Sequence, residues 1–168
     1  AYNTPAAENA AVPEPVADLV INEIDYDQVG TDAAEFIEIR NNGSTAVNLD
    51  AYSIELVNGT GGGASVYSTV DLPNVSLAAG DYYVVCANAG TVPNCDLDAS
   101  PDTDFIQNGA PDAVALRNGT TLVDTVSYEG DTGAPYTEGT GTSAADSNGV
   151  AYVGLSRFAD GTDTAVNN

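Results

Sequence analysis

The chain has 168 residues, of which 43% are apolar, enough for one domain with a real core. Its 25 acids face only Arg40, Arg117 and Arg157, with no lysine or histidine, for a net charge of −22. That balance repels nucleic-acid phosphate and anionic lipid, and without a histidine or lysine an acyl-transfer nucleophile lacks its usual base.

Residues 1–17 carry Pro5, Pro13 and Pro15 among alanines. Proline forbids a stable helix here and favours extended backbone, so 1–17 is expected as an Ala/Pro-rich arm ahead of a domain at 18–168. Tyr2, Pro5, Val12, Pro13, Pro15 and Val16 are its candidate assembly residues. The chain begins at Ala1 rather than Met, so either a leader was removed or this is an excised piece, and removal is the preferred expectation. No stretch approaches the ~18–20 apolar residues that span a membrane.

From Leu19 the pattern changes to short strands between turns. Leu19-Val20-Ile21-Asn22-Glu23-Ile24 and Glu35-Phe36-Ile37-Glu38-Ile39 alternate apolar and acidic residues. Period-two alternation sends one side of each strand into a core. Val20, Ile24, Phe36 and Ile39 are the expected core residues, and Glu23, Glu35 and Glu38 mark the wetter side. Strands are expected at 18–25, 34–41, 45–48, 51–57, 65–72, 81–86, 112–117, 121–128 and 151–157. Asn-Gly pairs at 42–43, 58–59 and 118–119 signal tight turns of type I′, and Arg117-Asn118-Gly119-Thr120 is the clearest hairpin. Residues 129–149 are rich in Gly, Thr, Ser and Asp and are expected to be a long loop that caps the domain or carries a contact. Even strand spacing without helical periodicity predicts an all-β sandwich.

Cys86 and Cys95 are the only cysteines and flank a Gly/Pro/Asn-rich loop. A disulfide across a tight turn fits better than zinc, which prefers four ligands; two buried thiols are the alternative. A disulfide implies an oxidising, extracytoplasmic compartment. Asp96, Asp98, Asp102 and Asp104 fall in one loop and are a candidate Ca²⁺ site, although the EF-hand glycine and glutamate are missing. Asp25, Asp27 and Asp32, and Asp160 with Asp163, are weaker candidates, and solvated turn aspartates explain each loop taken alone. Asn42, Asn58, Asn74 and Asn118 fit the N-glycosylation acceptor pattern, three of them within the Asn-Gly turns. Paired carboxylates are too abundant for any one pair to mark a glycosidase-like centre.

The order of these segments resembles the lamin-tail domain family. The first two strands with Asn41-Asn42-Gly43 are similar to its opening. Thr45-Ala46-Val47-Asn48-Leu49 and Tyr52-Ser53-Ile54-Glu55-Leu56 continue it, with Tyr52 where tryptophan is common. Ala78-Ala79-Gly80-Asp81-Tyr82-Tyr83-Val84-Val85, Asp112–Leu116, Val123–Tyr128, Leu155-Ser156-Arg157 and Asp160-Gly161-Thr162-Asp163-Thr164 follow in order. The resemblance covers 18–168. It implies an immunoglobulin-like β-sandwich used as a non-catalytic module, of a kind found in secreted bacterial proteins beside nuclease or phosphoesterase domains. Family members usually continue into a further strand, whereas this sequence stops at Asn167-Asn168. Either the sandwich closes without that strand, or it presents an open sheet edge that the arm or a neighbouring copy could fill.

Two classes of role follow. One is an extracellular structural protein that polymerises with its own copies through the arm and open edges, as a filament or surface-layer subunit. The other is a binding module: a tether for a secreted nuclease or phosphoesterase that holds a cell-surface or polymer ligand, or a calcium-dependent adhesion domain.

Overall fold

The computed structural model describes residues 19–146, 149 and 153–157. The arm at 1–17, Asp160 and Asp163 lie outside them. The strands are β1 (Leu19–Asp25), β2 (Phe36–Asn41), β3 (Val47–Asn48), β4 (Tyr52–Asn58), β5 (Ser65–Asp71), β6 (Ser76–Leu77), β7 (Tyr82–Cys86), β8 (Leu97–Asp98), β9 (Asp112–Asn118), β10 (Thr121–Tyr128) and β11 (Leu155–Ser156). They form a five-stranded sheet in the order β11-β1-β2-β7-β8, a four-stranded sheet in the order β10-β9-β4-β5, and a small β3-β6 ribbon. All pairings are antiparallel except β7 with β8. This is an immunoglobulin-like all-β sandwich.

The core lies between the two large sheets. Ile21, Ile24, Ile37 and Ile39 meet Ile54, Leu56, Val114 and Leu116, all fully or almost fully buried. Tyr26 stacks on Tyr128 at one end, ring centroids 4.4 Å apart. Strict alternation in β1 would send Ile21 and Ile24 to opposite faces. A bulge between Ile21 and Glu23 adds one residue and puts both on the core side.

Three expectations are corrected. Phe36 is half-buried and packs on the outer face with Val84 and Val92, while Ile37 takes the core position. Phe36 and Ile39 stand three residues apart, so a straight strand cannot point both inward. Glu35 is not on a wet face but completely buried. Of the three Asn-Gly glycines, only Gly119 has a positive φ, 54°. Its hairpin pairs Asn118 with Thr121, which places Gly119 first in a two-residue loop and makes the turn type II′ rather than I′. Gly59 is required for another reason: an added Cβ would lie 2.5 Å from the Pro111 carbonyl oxygen and 2.9 Å from Thr132 Cα.

Most expected strands are present within a residue or two. β6, and β8 in the Asp-rich loop, were not legible in the alternation. The segment after β10 folds back: Tyr136 covers Val57, Ala113 and Ala115 on the outside of the four-stranded sheet. Gly141 passes so close to Gly130 that an added Cβ would be 1.9 Å from the Gly130 oxygen.

Candidate interaction surfaces

Cys86, at the end of β7, is bonded to Cys95 with their Cα atoms 5.8 Å apart. The loop between them is held over the outer face of the five-stranded sheet. Ala87 N–H donates to the Glu35 carbonyl at 2.9 Å, and Thr91 and Val92 N–H both donate to the Asn88 carbonyl at 3.1 Å. Val92 closes on Val84 and Phe36 beside the disulfide. Between this loop and the strands lies an open groove of about 570 Å³. Its floor is Phe36, Val84 and Val92, and its walls include Glu23, Glu38, Tyr82 and Asp96. Glu23 and Glu38 are direct cross-strand partners. Tyr82 is 44% exposed, with the Arg40 guanidinium 5.5 Å from its ring centroid. Burial raises the Glu38 carboxyl above its ordinary range, opposed by the Asn22 amide that donates to it at 2.7 Å; the charge of Glu23 raises it further.

Two of the four candidate calcium ligands hold backbone amides. Asp96 accepts the Val84 N–H at 2.9 Å, and Asp98 accepts the Ala89 N–H at 3.3 Å. Asp104 sits at φ 55° and donates its own N–H to the Asp32 carbonyl, while Asp102 is exposed. Asp32 is buried, accepting from Gln28 N–H and the Asn108 amide. Among the described residues, no three acidic or cysteine side chains form a group that could hold a metal ion.

Buried carboxylates instead fasten loops. Glu35 accepts the N–H groups of Phe105 at 2.6 Å and Ile106 at 2.9 Å, seventy residues along the chain. Burial outweighs those two bonds and pushes its pKa up to about 7, with Asp32 and Asp104 adding to the rise. Asp146 accepts from Tyr26 and Asp27 N–H, and its own N–H donates to the Tyr26 hydroxyl, which donates in turn to Glu129. Beside it, burial raises Asp25 to about 6 against the bond from Gln28, and Asp146 reinforces the rise. Asp112 accepts the Gly59 N–H at 2.9 Å. The sequence does not mark Glu35, Asp112 or Asp146 as architectural, because their partners are backbone amides far along the chain. On the outside of the four-stranded sheet, Arg117 meets Glu55 at 2.6 Å and lies over the Tyr136 ring.

Of the acceptor asparagines, Asn74 and Asn118 are exposed and Asn42 is half-buried. Asn58 is half-buried and donates its amide to Gln107 at 2.7 Å. One edge of the four-stranded sheet is β5, seven residues that pair only with β4 among the described residues. Val66 and Tyr67 on it are 39% and 37% exposed. No charged residue stands between Glu55 and Asp71. No helix among the described residues is long and apolar enough to cross a membrane.

No curated protein matches the chain. A family model does: the Lamin Tail Domain matches residues 13–130, from inside the segment expected to be the arm to the end of the β9–β10 hairpin. With a bulged two-sheet sandwich and most of its length matched, the chain belongs to the lamin tail domain family, whose members are non-catalytic immunoglobulin-like modules.

Proposed function

We propose that this protein is a non-catalytic extracellular structural subunit that associates with copies of itself through open sheet edges and its N-terminal segment. The observation that carries the reading is β5: a seven-residue edge strand, uncharged until Asp71, in a chain of net charge −22. Like-charged copies repel over most of their surface, and an uncharged edge, paired on one side only among the described residues, is where that repulsion is weakest. The disulfide supports an oxidising compartment. Residues 3–16 would act as a second, heterologous link to an edge of the next copy, and heterologous contacts extend into filaments unless rotation closes a ring.

The test is removal of residues 1–17, followed by light scattering and negative-stain microscopy. Polymers are expected to disappear while a folded domain remains. Polymers that persist after truncation would remove the arm from the proposal. A full chain that stays monomeric at every concentration would favour the tethering module instead.

A further inference from the structure

We infer that the groove beneath the disulfide-bonded loop is a binding site for a lysine- or arginine-bearing segment of another protein. The groove combines two chemistries. Phe36, Val84 and Val92 give it an apolar floor, and Glu23, Glu38 and Asp96 set carboxylates around it. Glu23 and Glu38 stand directly opposite each other on β1 and β2. Like charges in that relation cost stability, and a cation between them relieves the cost. A long basic side chain fits both features at once, its methylene stem along the apolar floor and its charged head at the carboxylates. Tyr82, exposed at the rim with Arg40 over its ring, adds an aromatic wall for the stem. A small hydrated metal ion would gain nothing from the floor.

The occupant is not a second copy. The chain has no lysine and three arginines. Arg117 is committed to Glu55, Arg157 is committed to Asp124, and Arg40 already lies over Tyr82 beside the groove. The cation comes from a different protein, drawn in by the −22 charge. None of the groove's lining residues lies on β5.

The experiment uses the full chain and a short oligolysine peptide, with affinity read by calorimetry and the location by amide NMR shifts. A highly acidic protein attracts any polycation, so the comparison is between charge-matched variants. Glu23→Gln with Glu38→Gln is expected to weaken binding about tenfold, the loss typical of charged hydrogen-bonding partners. Asp50→Asn with Asp71→Asn removes the same charge from exposed positions elsewhere and is expected to change it less than twofold. Tyr82→Ala, an exposed rim change, is expected to weaken binding with the melting temperature unchanged. Equal weakening by both double variants, or shifts spread evenly over the surface, overturns the site. So does a groove that responds to Ca²⁺ or to a neutral oligosaccharide but not to oligolysine.

Discussion

Arg157 reaches from the end of β11 to Asp124 on β10, its Nη2 lying 2.7 Å from Oδ1 and 2.8 Å from Oδ2. The same carboxylate accepts the Ile21 N–H at 2.6 Å, and the Arg157 Nε donates to the Ile21 carbonyl at 2.6 Å. Asp124 sits next to the bulge of β10 and Ile21 next to the bulge of β1. One ion pair therefore joins the two sheets where each ladder is broken.

Removing one partner leaves the other charge buried without compensation. Asp124, 1% exposed, is the more deeply buried of the two and also holds the Ile21 N–H. Asp124→Ala is expected to cost about 3–5 kcal/mol in urea unfolding. Arg157→Ala should cost at least as much, since it strands the Asp124 carboxylate in the interior. Equal and small losses would show that the pair does not hold the sheets.

Glu35 should give the fold a pH dependence. Its folded pKa of about 7 lies above the ordinary 4.5, so between those values the folded state holds a proton that the unfolded chain has released. The resulting stabilisation is full below pH 4.5 and is lost as pH rises through 7. Asp25, raised from 3.8 to about 6, acts with the same sign. Chemical denaturation should show greater stability at pH 5 than at pH 8. Glu35→Gln should flatten that slope, and an unchanged slope would assign it to other groups.

Reduction of the Cys86–Cys95 bond tests the loop over the groove. A closed loop with a sequence separation of nine residues contributes about 2–3 kcal/mol on the chain-entropy model. Cys86→Ala with Cys95→Ala should lower the melting temperature accordingly, and dithiothreitol should lower that of the native chain but not of the variant.

Gly59→Ala probes the close approach of the β4–β5 turn to the segment after β10. The new methyl group would meet the Pro111 carbonyl oxygen and Thr132 Cα, backbone atoms that cannot swing aside, as well as the Thr132 methyl. Overpacking of this kind costs about 1–3 kcal/mol. Gly63→Ala, where an added Cβ meets nothing within 4 Å, is the control and should be close to neutral.

The alternation of β1, β2, β4, β9 and β10 made the sandwich legible in the sequence, because period-two burial is a local property of each strand. What could not be read depends on distant partners. The bulge at Asn22 reverses which side of β1 faces inward, and only the pairing with β2 reveals it. Phe36 and Ile37 are both apolar, so only the packing of Val84 and Val92 decides which one faces out. Glu35 has the sequence environment of a solvent-facing acid, yet the amides of Phe105 and Ile106 take it into the interior. The disulfide was legible from two cysteines and a turn-rich loop. The groove beneath it was not, since its walls come from three strands and a loop.

Asp32, Glu35, Asp112, Asp124 and Asp146 are all buried, and each holds at least one backbone N–H. The acidic composition is thus two populations with different physics. Exposed acids form an ion atmosphere that dissolved salt can retune from one medium to another. The interior five act as fixed fasteners, shielded from that medium, so a more neutral surface could be designed without loosening the joints of the fold, provided these five are left in place.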